Sequence, residues 1–525
     1  MKKYSLIFSV IFALMFTSCD SWLESPSPGV TELDDFFTVG QTAINTTNGA
    51  YVPLAWEYNY TYFPEWFIGD VVSDDALKGG QNINDMSVVY DMENFKTIPN
   101  NDFLLDFYRA QYQGIGRCNL GLQEIPVMTP DTTMTERVQN RLIGELKFLR
   151  AMYYFRLVRV FGGVPLVDFV IDSSTKWKQP RASADDVYVQ IIKDLEEAND
   201  VLWVKTDYAK ADTGRVTKGA AQAMLLKTNL YLKNYPEAKR WGDSIIQSGQ
   251  YRLLPNYSDN FTLNGENMDE SVFEIQYTED PTSDYGGGGG IGGAGFTRGT
   301  FTVILTRSRS SLLGGGWGFN KPTQDLYNEF EPEDPRLGAT ILDPKAYIEN
   351  EDQEIYLGTR YLNRKYGMYN DLPGGKVSYF ELAHATRAPI NNKVIRYSDV
   401  LLMYAEACCE ANNLGDAVAA LNQVRQRARG ERTDILPDHP TNTNQSDLRN
   451  AIRHERRVEL AMEGHRWFDL CRWGIAYEVM TAYKEKESDD ARDHMADFIK
   501  GKHELFPIPS KEIELNPMEQ NNGYN

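Results

Sequence analysis

The segment Ile452–Gly474, IRHERRVELAMEGHRWFDLCRWG, constrains this chain more than any other. Glu455, Glu459 and Glu463 recur every four residues, with Arg453, Arg456 and Arg457 set among them. Spacings of three and four bring side chains together on one helix face. The segment therefore reads as a helix over 446–463 with a dense, mixed-sign face. Gly464 breaks it, and His465, Arg466, Trp467 and Phe468 follow at a turn. Arg, Glu, His and Asp in one cluster could suggest catalysis. The pattern fits a structural role better: a buried ion-pair network locks the last helix to the helical core, with Trp467 and Trp473 packed beside it. Replacing Glu455 or Arg456 singly should then cost several kcal/mol.

The 525 residues can bury a large core, and their length alone permits about two to four domains. With 24% charged and 42% hydrophobic residues, the composition is that of a folded globular chain. The formal net charge of −20 opposes binding to phosphate backbones, which excludes nucleic acid as a partner. Aromatics reach 12%, with 30 Tyr and 9 Trp. A flat ring with a polar handle suits recognition as well as packing.

Lys2 and Lys3 precede an apolar run, Leu6 to Phe16, that is too short to span a bilayer. Thr17-Ser18-Cys19 follows with the look of a lipoprotein cleavage site, so residues 1–18 are expected to be a signal peptide and Cys19 the lipidated first residue. Cys118, Cys408, Cys409 and Cys471 form no CxxC or zinc spacing and read as buried thiols, with one disulfide left open for an exported chain. No metal site and no cofactor are expected.

Leu142, Leu146, Leu149, Tyr153, Leu157 and Val160 repeat at three and four residues, which predicts a helix over 136–160, ended by Gly162-Gly163. Helices are also predicted over 185–203, 218–233, 236–248, 398–411 and 416–428. The pairs 218–233/236–248 and 398–411/416–428 have short turns and a small residue, Ala238 or Ala417, early in the second helix. That is the texture of tetratricopeptide-type repeats. Between 250 and 397 the periodicity is lost. Ser271–Tyr277 alternates as a strand, and Gly, Pro, Asn and Asp then dominate.

The block 452–474 resembles the C-terminal signature of the SusD/RagB family of outer-membrane nutrient-binding lipoproteins. Further segments that look like family signatures are 150–167 (RAMYYFRLVRVFGGVPLV), 215–221 (RVTKGAA), 316–326 (GWGFNKPTQDL) with Asp334-Pro335-Arg336, 396–407 (RYSDVLLMYAEA) and Phe506-Pro-Ile-Pro509. They span nearly the whole chain after residue 18. The resemblance implies a mostly α, SusD-like fold with four tetratricopeptide-type helix pairs plus an irregular, loop-rich region with short strands. The two remaining pairs would be 41–57 with 103–125, and 136–160 with 185–203. It also implies an N-terminal region over 19–249 and a C-terminal region over 250–525. The latter would contain a loop-rich insert (250–397), the last helix pair (398–428), the helix 446–463 and a tail. The implied function is non-enzymatic: capture of oligo- or polysaccharide at the outer-membrane surface and delivery to a SusC-like TonB-dependent transporter. Asp20 and Glu24 resemble the surface-export signal of such lipoproteins.

In this family, ligand specificity is expected within 55–105 and 278–316. The candidate ligand-binding rings are Trp56, Tyr58, Tyr60 and Trp66 in one aromatic-rich run, and Tyr285, Phe296 and Trp317 around a glycine-rich loop. Glycine lets such a loop approach a ligand closely. Two rival readings remain: the same fold carrying oligopeptides, as in the RagB branch, and a glycoside hydrolase using paired carboxylates. Enzyme motifs are otherwise lacking. Gly290–Gly295 fits GxGxxG but precedes no helix, and neither HExxH nor GxSxG occurs. The sequence leaves the sugar, its linkage and its length open.

Overall fold

The computed structural model describes residues 36–59, 61–172, 177–279, 299–346, 355–373, 376–486 and 494–525. The scaffold consists of α1 (Gly40–Tyr51), α2 (Asp102–Glu124), α3 (Glu136–Phe161), α4 (Ala184–Val201), α5 (Lys218–Tyr231) and α6 (Tyr235–Gln247). It continues with α7 (Tyr397–Glu410), α8 (Leu414–Arg429), α9 (Gln445–Glu459) and α10 (Arg466–Trp473). Several starts are fixed by side-chain caps. Asn101, Thr135, Ser183, Thr217 and Asn444 each accept a backbone N–H from the first turn of α2, α3, α4, α5 and α9 respectively. α1 packs on α2, α3 on α4, α5 on α6 and α7 on α8, and α9 lies across α7 and α8. These are the four helix pairs expected from the sequence. Ala238 and Ala417 are fully buried where they let neighbouring helices approach. α3 is buried on more than one face, through Leu146, Leu149 and Tyr153 and also Ala151, Phe155 and Val158.

Among the described residues the strands form four two-stranded antiparallel sheets: β1 (Ala76–Gly79) with β3 (Phe319–Pro322), β2 (Ser271–Ile275) with β8 (Asn392–Arg396), β4 (Ile341–Leu342) with β5 (Leu362–Asn363), and β6 (Tyr369–Leu372) with β7 (Lys376–Tyr379). The loop-rich stretch also contains short helices, Thr302–Thr306, Gln324–Glu329 and Pro335–Thr340. One main apolar cluster runs from Ala43 to Ile508, through both the helix pairs and the loop-rich stretch.

Pairs of such short strands are not stable alone. Here they are tied to the helices by buried charge. Glu459 accepts from Arg396 (3.0 Å), Arg427 (2.5 Å) and Arg336 (3.2 Å). Glu455 accepts from Arg336 at 2.5 Å and Arg425 at 2.9 Å. Arg456 donates to Asp399 of α7 (2.8 Å) and Asp469 of α10 (3.1 Å). Glu455, Glu459 and Arg456 are at most 1% exposed. Trp467 is 1% exposed beside them, and the Arg453 guanidinium lies 4.9 Å from the Trp473 ring.

The partners of these charges come from other segments of the chain. In one respect the structure corrects the sequence reading: α9 stops at Glu459 and does not reach 463. Met462 and Gly464 take positive φ (63° and 78°), and the turn carries the Glu463 carboxylate to Lys365 (2.6 Å) and Arg396 (2.7 and 2.8 Å).

Removing one member of such a set leaves buried charge uncompensated, at a cost of about 3–5 kcal/mol. Glu459→Ala should lower stability by that amount in denaturant titration. The network also predicts acid sensitivity. Burial alone would push the Asp469 carboxyl up, but Arg456 and Arg472 outweigh it and hold the carboxyl at about 2. A carboxylate depressed on folding adds stability above its unfolded value of about 4 and loses it as pH falls through its folded value. The denaturation midpoint should drop between about pH 4 and 2, and less steeply in Asp469→Asn.

Candidate functional site

Two of the aromatic segments singled out in the sequence meet in space. Residues 57–59 and 61–63 form the two limbs of a hairpin, in which Phe63 N–H donates to the Glu57 carbonyl (2.8 Å) and Tyr58 bridges Tyr62. Their rings lie 4.9 Å apart, and the Trp317 ring meets Tyr62 edge-on at 5.1 Å. Phe301, 4% exposed, forms the floor at 5.8 Å from Tyr58 and 5.2 Å from Tyr62. Tyr58, Tyr62 and Trp317 stay partly exposed. The result is an aromatic face assembled from segments some 255 residues apart.

Buried polar groups seat this face. Glu57, 6% exposed, accepts from Thr300 Oγ1, Thr302 Oγ1 and Phe301 N–H at 2.6–2.9 Å. Burial pushes its carboxyl up, and these donors counter that. Asp106 of α2 holds the other limb, accepting from Asn59 Nδ2 (2.7 Å) and from Thr61 N–H and Oγ1 (both 2.9 Å). The Trp317 turn is fixed by Trp317 N–H to the Ile304 carbonyl (2.8 Å) and Gly318 N–H to the Arg307 carbonyl (2.9 Å). Gly316 is required there, because a Cβ would lie 2.4 Å from the Arg307 Cβ and 2.6 Å from its carbonyl oxygen.

The loop 79–85 leans on the same turn, with Gly80 N–H donating to the Gly318 carbonyl at 2.9 Å. Gln81, Asn82 and Asn84 are exposed on it, and the Asp85 charge reaches Tyr62. Burial, Tyr58 and Asp85 together raise the Tyr62 hydroxyl to about 12, so it stays a neutral donor at physiological pH. Partly exposed rings rimmed by amides can stack on the apolar face of a sugar and bond its hydroxyls. Among the described residues no His, Cys, Asp and Glu group is arranged to hold a metal ion.

The remaining predicted rings separate. Trp56 lines a different cleft of about 520 Å³ with Tyr51, Arg215, Phe273, Gln276 and Tyr277, and Arg117 lies 5.2 Å over its ring. Trp66 is a correction: it is 4% exposed, packed on Phe67 with the rings 4.0 Å apart and tilted by 37°, and bonded through Nε1 to Thr302 (3.1 Å), so its ring belongs to the core. Tyr60, Tyr285, Phe296 and Cys19 lie outside the described residues. Sequence reasoning passed over Tyr62 within the aromatic run, and also Phe301, Asp85 and Glu57. No local pattern marks a lone Glu as the anchor of a loop.

The architecture is that of a helix-pair scaffold whose loops carry an aromatic face. The chain belongs to the SusD family, whose profile matches residues 248–524. A second profile, described as starch-binding associating with outer membrane, matches residues 36–232. The SusD-like protein P2 of Formosa agariphila is 26% identical, with each chain covered in full. Among solved structures, a laminarin-binding SusD-like protein matches with a TM-score of 0.75 and 28% identity, over 93% of this chain and 100% of the other. Surface glycan-binding protein A of Bacteroides thetaiotaomicron in complex with laminarihexaose matches with a TM-score of 0.76 and 25% identity, over 92% and 100%.

Glu57→Gln would replace one of the two accepting oxygens by an NH2 group that faces these donors with no bond to accept. The variant should lose about 1–3 kcal/mol in a denaturant titration.

Proposed function

We propose that this protein captures oligo- or polysaccharide on the cell surface and passes it to a SusC-like TonB-dependent transporter without chemically altering it. The observation that carries the reading is the convergence of Tyr58, Tyr62 and Trp317 on one partly exposed face. The laminarin and laminarihexaose named for two of the matched structures make glucans the first ligands to test. Lipidation at Cys19 would hold the protein at the outer membrane, and the exposed amides of 81–84 would select among sugars by their hydroxyls.

The test is calorimetry on a soluble form beginning after Cys19, with laminarihexaose, a maltooligosaccharide and a mixed peptide digest. Binding to a glucan without turnover is expected. Trp317→Ala and Tyr62→Ala should each weaken it about tenfold, equivalent to ~1.4 kcal/mol. Unchanged affinity in both folded variants would remove this face from the site. Heat from peptides alone would move the cargo to the peptide class. Turnover abolished by one carboxylate substitution would make the protein a hydrolase.

A further inference from the structure

Lys78 is fully buried at the end of β1, beneath the loop that rims the aromatic face. Its Nζ donates to three backbone carbonyls of that loop, Gly79 (2.7 Å), Asn82 (3.2 Å) and Asp85 (2.5 Å). The Phe319 and Tyr356 rings stand 5.4 and 5.0 Å from the ammonium. All three ammonium donors have acceptors, and the ring faces supply further negative potential. Convergent carbonyls of this kind commonly surround a bound cation, and here the chain supplies its own.

Resting on the glycan-binding reading above, we propose that Lys78 is a positioning residue. Its ammonium shapes the 79–85 loop and thereby sets where Asp85 and the exposed amides of Gln81, Asn82 and Asn84 meet the sugar. Most of the loop's other bonds are internal: Asp85 N–H to the Asn82 carbonyl (3.1 Å), Asn84 N–H to Asn82 Oδ1 and Gln81 N–H to Asp85 Oδ2, and four of its residues are exposed. Beyond itself it is held by Lys78 below, by Gly318, which follows Trp317, and by the pairing of Gly79 with Phe319 at its start. A hydrocarbon in place of the ammonium would leave three carbonyls facing one another.

Protonation then bears on the rim. Burial lowers the Lys78 ammonium to about 8, against the charges of Glu93 and Asp85. The groups around it are Glu93 from the helix Ser87–Glu93, Asp85 from the loop, and Tyr356. Burial pushes the Glu93 carboxyl up, partly countered by Lys78, and pushes the Tyr356 hydroxyl well above its usual range. A neutral amine has two donors and a lone pair facing three carbonyls, so the loop loosens as pH rises through the Lys78 value.

The experiment compares wild type with Lys78→Met, a change of similar shape that removes the charge. Hydrogen exchange of the free proteins is expected to show faster exchange at 79–85 in Lys78→Met, with amides of α3 and α5 still protected. Glucan affinity should fall about tenfold. Between pH 7 and 9.5 affinity should decline in wild type and stay flat in Lys78→Met, and in Glu93→Gln, which removes a charge that holds the ammonium up, the decline should move to lower pH. Unchanged exchange at 79–85 would overturn the proposal even if no glucan bound at all. Faster exchange with undiminished affinity would overturn the link to the sugar and leave the glycan-binding reading standing. A pH decline that persists in Lys78→Met would assign the titration elsewhere and also overturn it.

Discussion

The architecture depends on charges buried together where α9 meets the loop-rich stretch. Glu459 alone gathers Arg336, Arg396 and Arg427, and Arg396 also reaches Glu270 and Glu463. Two-residue strands such as β4 and β5 cannot hold themselves together, and the small apolar cluster that Leu342 and Leu362 form with Leu313 contains only a few side chains. Ion pairs in a dry interior are a poor source of net stability, because desolvation offsets most of their attraction. They do impose geometry, since a carboxylate with three guanidinium partners has few alternatives. The helix pairs supply the apolar bulk, and the charge network determines how the irregular segments dock on it.

The same device reaches the aromatic face. Arg457 pairs with Asp74 and Asp75, and Arg466 grips Asp74 with two bonds (2.8 and 2.9 Å). Gly464 N–H donates to Asp70 at 2.8 Å, and a Cβ on Gly69 would lie 2.1 Å from the Gly464 carbonyl oxygen. Residues 69–75 thus sit against the turn after α9, immediately before β1 and Lys78. Packing at the end of the chain is connected, through residues that touch no ligand, to the loop that rims the candidate site. Glu57 and Asp106 do the same for the tyrosine hairpin.

The helices were readable because their signals are local: apolar spacing, caps and the glycines after α3. The four pairs followed from those lengths together with the family resemblance. The structural role of 452–474 was readable from its charge density, but its partners were not. Nothing local ties Glu455 to Arg336, or Arg457 to Asp74. The end of α9 was misplaced because Glu463 continues the i, i+4 series while Met462 leaves the helix. In the aromatic run, composition marked the right neighbourhood but could not sort its rings. Trp66 turned inward, Trp56 lines another cleft, and Tyr58 and Tyr62 found Trp317. Which way a ring points in a loop is decided by distant contacts such as Glu57 with Thr300–Thr302.

The most direct test is hydrogen exchange of the folded protein with and without a bound glucan oligosaccharide. The account predicts new protection at 57–63, 79–85 and 314–318, with the amides of α3 and α5 unchanged. Protection confined to the cleft beside Trp56, with those three segments unaffected, would contradict it.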